Sequence, residues 1–389
     1  MLVTVGLIVA NNSDLQLCDG SIYPKNQNMQ VKMKFQPISH SWVAVNPQPQ
    51  GVVQFIGGAF FGTFIPMIFY RSLLQSLFEQ GYTIVIYPFN FTFNHYVEAG
   101  FLIKEQYAVI PELVRIATKN LYEYENYLEN TNYYWLGHSI GCKYISLLEG
   151  FSALPQNAEA RDKFIRDLIT KNQETRNFTA DSVIADIELL IAELKREYIQ
   201  GKNLIEYYIS QALQYQSQTI KLKPEDVTID KIFIKGQASV LLAPVNSGTD
   251  SAIPKPLAGI VDKIGLGVKP IPSLTFEIIK KANLFNLLGL IAFDQDTKLA
   301  FSTVKWFDHN YGDKNGDNHH PDYQDFRFTR NGGHLRPLSL RIGNIVFNFP
   351  DSVQVSLIEP VASRIEDFEI YVTKLFKNLD QKRREQDKS

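Results

Sequence analysis

Trp135-Leu136-Gly137-His138-Ser139-Ile140-Gly141 is the stretch on which the reading of this chain turns. An apolar run over residues 133–136 leads into it, and a helical pattern over 140–149 leads out. Glycines two before and two after the serine allow a strand-to-helix turn sharp enough to hold a side chain at strained backbone angles. The helix behind the serine supplies unpaired N–H groups and the positive end of its dipole. The same pattern would suit a buried serine in a tight turn of a non-enzymatic, Rossmann-like sheet, so the surrounding order has to decide.

Upstream, residues 31–35 and 41–46 read as two short strands, and Pro47-Gln48-Pro49-Gln50-Gly51 as a turn. Residues 52–56 form a strongly apolar strand, 64–80 a helix, 82–87 a β-rich run stopped by Pro88, and 101–128 one long helix or two. Downstream, strands are expected at 238–244, 287–293 and 325–329, with a last helix over 361–379. Strands that alternate with helices and are apolar throughout indicate a parallel sheet covered on both faces. The expected class is an α/β-hydrolase fold: a mostly parallel central sheet, helices on both faces and a helical cap insertion. The expected organisation is an N-terminal extension (1–28), a first core part (29–150), the cap (151–235), a second core part (236–380) and a charged tail (381–389) that frays. Within the cap, Val183, Ile184, Ile187, Leu190, Ile191, Leu194 and Tyr198 make a helical apolar stripe. A second excursion spans 245–286, and insertions at these two places are expected above the C-terminal strand edge, where open α/β sheets bind ligands.

The 389 residues carry 39 Lys+Arg against 41 Asp+Glu, a near-neutral balance that argues against a dedicated nucleic-acid binder. Two cysteines, Cys18 and Cys142, exclude a disulfide scaffold and a four-cysteine zinc site. The apolar N-terminus is too short to span a bilayer and lacks the basic start of a signal peptide. The expectation is a cytoplasmic protein, or one of the plastid stroma in a plant or alga, with no transmembrane segment. Asp313-Lys314-Asn315-Gly316-Asp317 begins like a calcium loop, but Asn318 and Gln324 stand where Gly and Glu are needed. It reads as a solvated loop, and neither metal nor cofactor is expected.

Two further elements give the serine its context. Phe55-Ile56-Gly57-Gly58-Ala59-Phe60-Phe61-Gly62 follows an apolar strand, where esterases place a glycine-rich loop whose N–H groups bind an oxyanion. Its spacing does not give the dinucleotide pattern Gly-x-Gly-x-x-Gly. The candidate oxyanion donors are the amides of Ile140 and of Gly58 or Ala59, and Phe60, Phe61 and His138 are the candidate substrate contacts. Gly332-Gly333-His334 follows the last expected strand, and of the seven histidines only His334 has both the order and the flank of a general base. The acid should end the preceding strand, at Asp296 or, as the alternative, Asp294; either could instead cap the next helix. Asp296 is favoured because the loop needs a couple of residues to turn off the sheet. The order Ser139, Asp296, His334 is that of α/β-hydrolases.

The segments at 52–62, Tyr70-Arg71, 81–88, 137–141 and 332–337 are similar to domain-of-unknown-function family 1350 of cyanobacteria and plastids, within the α/β-hydrolase superfamily. The resemblance runs from about residue 33 to 337 and is weakest over 151–235. It implies the fold and suggests the Ser–His–acid set, but implies no substrate and does not choose between Asp294 and Asp296. The expected activity is that of a serine hydrolase of esterase, lipase or thioesterase type on an acyl ester or lipid-like small molecule. The alternatives are an acyltransferase on the same residues and an inactive hydrolase-fold binding protein.

Overall fold

The structure is a computed structural model describing residues 15–18, 21–24, 32–90, 92–171, 180–217, 220–248, 267–282, 287–342, 345–348, 360–361 and 368–386. It divides into residues 1–32 and 33–389. In the first unit, β1 (Leu15–Cys18) pairs antiparallel with β2 (Ser21–Pro24).

The second unit is built on an eight-stranded sheet of β3 (Gln36–Ile38), β4 (Ser41–Ala44), β5 (Gly51–Ile56), β6 (Tyr82–Ile86), β7 (Tyr133–His138), β8 (Ala238–Leu242), β9 (Leu288–Phe293) and β10 (Arg327–Arg330). Their spatial order is β10-β9-β8-β7-β5-β6-β4-β3. From β5 onward the strands run parallel, while β4 is antiparallel to β6 and β3 to β4. This is an α/β-hydrolase fold. Every residue of β5 to β9 is buried, as burial on both faces requires. The polar exception in β5, Gln54, accepts from Tyr87 Oη and donates to Gln237 Oε1.

The chain leaves β5 outward to β6 and then returns to β7 on the other side of β5. Ligands bind at such a reversal, outside the carboxyl ends of the strands. Ile56 of β5 is paired with Gly137 of β7, so the loops that follow these strands start side by side.

Between β5 and β6 lie α1 (Pro66–Phe69) and α2 (Arg71–Glu79). Between β6 and β7 runs α3 (His95–Asn120), and after β7 come α4 (Ile140–Ser152), α5 (Ala158–Lys171) and α6 (Ala180–Leu213). The segment expected as one long helix or two over 101–128 is one helix that begins six residues earlier and ends at Asn120, with a short 3-10 turn at Glu125–Tyr127 after it. The Asn94 side chain accepts from Val97 N at its start, and Leu121 ends it in the left-handed region. On one face α4 packs against α3 and the helix Pro272–Ala282; on the other, the helix Phe368–Gln386 packs against β8, β9 and α2.

Three expectations change. The first strand of the sheet is Gln36–Ile38, not 31–35, because pairing with Ser41–Val43 across the Ser39-His40 turn sets its place. The tail does not fray at 381: the last helix runs to Gln386, and Arg383 Nη1 donates to the Thr131 carbonyl at 2.6 Å. Finally, α6 lies lengthwise along α3, with Leu190 against Gly100, Tyr198 against Tyr107 and Tyr208 bonded to Glu112. Its apolar stripe, expected on a cap above the sheet, is used in packing against α3. Most of 245–286 lies outside the described residues.

Burial of the Glu149 carboxyl on α4, where Ser239 Oγ donates to it at 2.8 Å, pushes its pKa up from 4.5 to about 8. The folded chain therefore keeps a proton that the unfolded chain has already released. This group's contribution is full below the unfolded value and is lost as pH rises through the folded one. Glu149→Gln is expected to flatten the decline in unfolding free energy between pH 5 and 8 by a few kcal/mol, measured by urea denaturation across that range.

Candidate active site

Ser139 sits at φ 56°, ψ −122°, between the end of β7 and the first turn of α4. A side chain held there costs on the order of 1–3 kcal/mol and persists only where its surroundings over-determine it. They do so here. Ser139 N donates to the Leu242 carbonyl of β8, and the Ser139 carbonyl accepts from Val245 N and Cys142 N. A Cβ on Gly141 would lie 2.3 Å from the Ile56 carbonyl oxygen and 2.8 Å from that of Gly57. One on Gly137 would lie 2.7 Å from Ile145 Cδ1. Gly141 is thus required by the closeness of α4 to the end of β5, and Gly137 by the closeness of α4 to its own β7.

A serine at a helix start usually spends its oxygen on an N–H of the first turn. Ser139 makes no such bond. Its Oγ is instead 2.9 Å from His334 Nε2, and His334 Nδ1 is 2.6 Å from Asp296 Oδ2. His334 and Asp296 are both buried.

Asp296 and Asp294 divide two tasks. The other Asp296 oxygen, Oδ1, accepts from the amides of Leu299 and Ala300 at 3.1 and 3.3 Å. One carboxylate therefore braces the turn ahead of the helix Phe301–Phe307 and also faces His334. Burial works to raise the Asp296 carboxyl, but the hydrogen bond and charge of His334 and the two amides outweigh it and hold it below the usual carboxylate range. Asp294 Oδ1 accepts from Gly332 N at 3.0 Å, while Gln295 N donates to the Gly332 carbonyl. Asp294 thus ties down the loop that carries His334 and does not touch the imidazole itself.

The remaining site candidates separate by their hydrogen bonds. Ile140 N stands at the head of α4, and neither it nor Ala59 N has a hydrogen-bond partner among the described residues. Gly58 N is committed, donating to Tyr70 Oη at 2.9 Å. Of the two loop amides expected to receive an oxyanion, Gly58 is therefore occupied and Ala59 open. Phe60 is 60% exposed and packs edge-on to Phe61, which in turn meets Phe69. His138 cannot contact a substrate as expected. It is 1% exposed and points inward, with Nδ1 2.7 Å from Tyr70 Oη and Nε2 2.9 Å from the His334 carbonyl. Burial and then the neighbouring His334 push its pKa down to about 3. Tyr70 was missed as a site residue; its only signal was its place in a stretch shared with the resembled family.

Among the described residues no group of three or more His, Cys, Asp or Glu could hold a metal ion. In the calcium-like loop, Asp317 pairs with Lys280, and nearby Asp308 pairs with Arg327. A cavity of about 670 Å³ lies between α3, α6 and residues 268–274; none of Ser139, His334 and Asp296 lines it. No described helix is long and apolar enough to cross a membrane.

Residues 34–166 match the DUF1350 family model, described as a protein of unknown function. The match to DUF1350 takes in the Gly57–Gly62 loop and the Ser139 turn and stops before Asp296 and His334, short of the reach to 337 expected from the sequence. No curated protein matches the chain. Two crystal structures of a candidate carboxylesterase from Lactobacillus plantarum WCFS1 resemble it at 10% identity. One has a TM-score of 0.32 and covers 72% of this chain and 80% of its own; the other has 0.31, 77% and 87%.

Gly141→Ala forces a methyl group onto two carbonyl oxygens. It is expected to cost about 1–3 kcal/mol of unfolding free energy, read by chemical denaturation.

Proposed function

We propose that this chain is a serine hydrolase that cleaves acyl esters through Ser139, His334 and Asp296. The observation that carries the reading is the unbroken line from Asp296 Oδ2 through both nitrogens of His334 to a Ser139 Oγ that its own helix does not use. Asp296 accepts the Nδ1–H of His334, which leaves the Nε2 lone pair facing the Ser139 hydroxyl.

In this reading Ser139 Oγ attacks the ester carbonyl carbon as its proton passes to His334 Nε2. The negative charge that develops on the carbonyl oxygen falls between the Ile140 and Ala59 amides, at the positive end of the α4 dipole. Collapse of the tetrahedral intermediate breaks the bond to the alcohol oxygen, which takes the proton from His334. Water, deprotonated by the same nitrogen, then attacks the acyl-Ser139 ester; the acyl–Oγ bond breaks, Ser139 Oγ takes the proton back from His334, and the acid leaves. Asp296 stays ionised throughout and stabilises the imidazolium. The apolar residues after Ala59, with Phe60, Phe64 and Ile65 all more than half exposed, favour a lipophilic acyl or alcohol group.

A fluorophosphonate probe is expected to label the wild-type chain and not a folded Ser139→Ala variant; equal labelling of both would overturn the assignment. Asp296→Asn is expected to lower kcat on a p-nitrophenyl acyl ester by about 10³–10⁴. Asp294→Asn, which weakens only the tether to Gly332, is expected to cost on the order of tenfold. The reverse ranking would make Asp294 the acid.

A further inference from the structure

Three segments meet at Tyr70, the residue between α1 and α2. Its Oη accepts from Gly58 N at 2.9 Å and lies 2.7 Å from His138 Nδ1. Its backbone forms a bridge with Ser339, five residues beyond His334. Its ring packs edge-on against Phe55 of β5 with centroids 4.6 Å apart. The residue is wholly buried.

The protons on this chain of contacts can be assigned. A carbonyl oxygen only accepts, so His138 Nε2, 2.9 Å from the His334 carbonyl, carries the hydrogen. The neutral ring then offers a lone pair at Nδ1, and the Tyr70 hydroxyl donates to it. The same hydroxyl oxygen accepts the Gly58 amide. One directed line results, from Gly58 N–H to Tyr70 O–H to His138 and on to the main chain of His334. It starts at the loop beside Ser139 and ends on the backbone of the residue bonded to Ser139. A Cβ on Gly58 would lie 3.2 Å from His138 Nδ1 and 3.3 Å from both Ser139 Cβ and Tyr70 Oη, tight enough to press on all three groups.

We infer that Tyr70 and His138 are a positioning pair: through the Gly58 amide and the His334 carbonyl they hold the Ala59 amide and the His334 imidazole in register with Ser139. The inference rests on the hydrolase reading above. Neither residue touches the reacting atoms. Their effect is on the reacting geometry, and it exceeds the loss of one buried hydrogen bond because a single hydroxyl is bonded to the Gly58 loop and, through His138, to the segment that carries His334.

Tyr70→Phe keeps the ring against Phe55 and removes only the hydroxyl. Its expected effect is a fall in the rate of fluorophosphonate labelling, and in kcat on a p-nitrophenyl ester, on the order of tenfold to a hundredfold, with KM little changed. His138→Gln keeps a side-chain N–H for the His334 carbonyl and is expected to recover part of the rate lost in His138→Ala. The double variant Tyr70→Phe with His138→Ala should be little slower than His138→Ala alone, since both act through one line. Tyr127→Phe removes another buried hydroxyl, bonded to Thr83 at the amino end of β6, and should leave the rate unchanged. A Tyr70→Phe rate within twofold of the Tyr127→Phe rate would overturn the inference. If the wild-type chain is not labelled at all, the hydrolase reading falls, and nitrogen-15 NMR of the histidine side chains decides the pair separately. The hydrogen of His138 should then be on Nε2 in the wild type and redistribute in Tyr70→Phe. An Nδ1–H form in the wild type would overturn it.

Discussion

The contact of α4 with the end of β5 is the constraint on which the rest of the site depends. At Gly141 the helix backbone comes so near the Ile56 and Gly57 carbonyls that no side chain fits between them. That closeness holds Ser139 at a backbone angle it would not otherwise adopt. It also places the Gly57–Gly62 loop beside the serine, because Ile56 and Gly137 are paired neighbours in the sheet. The energy that keeps this strained turn in place comes from the burial of β5 and β7 on both faces, where each fully buried large aliphatic or aromatic side chain contributes about 1.5–3 kcal/mol.

Around that turn the chain uses its polar groups sparingly, often giving one group two partners. Asp296 braces the turn at Leu299 and Ala300 with one oxygen and faces His334 with the other. Tyr70 accepts from one loop and donates to another segment through a single hydroxyl. Buried groups engaged in this way are costly to disturb, because removing one partner leaves a second polar atom unsatisfied. Apolar residues such as Phe60 and Phe64 are left exposed just outside this arrangement.

Much of this was legible before any coordinates. The strands β5 to β9 announce themselves as short apolar runs between turn residues, since burial on both faces leaves little room for polar side chains. The elbow and the Gly332-Gly333-His334 loop were visible because glycine marks places where backbone must come close or turn back. Asp296 was favoured over Asp294 on the length of loop required to leave the sheet; in the structure Asp296 lies against His334 Nδ1 and Asp294 against Gly332 N. Gly58, one of the two alternatives for the loop amide, and His138, expected as a substrate contact, are both engaged by Tyr70. A glycine loop beside the serine looks open in sequence, and nothing local shows that Tyr70, twelve residues on, occupies its amide.

The sequence by itself determined the buried strands β5 to β9 and the helical character of the segments between them, the order of the chemically able residues and the need for glycine on either side of Ser139. These are local properties, set by side-chain periodicity and backbone sterics. Only the tertiary structure decided which amide is free, which carboxylate oxygen meets His334, and that α6 lies along α3. Those facts depend on which segments, distant in the chain, arrive at the same few ångströms. An amphipathic stripe reveals that a helix must bury one face, but the partner that covers that face is chosen by the packing of the whole sheet.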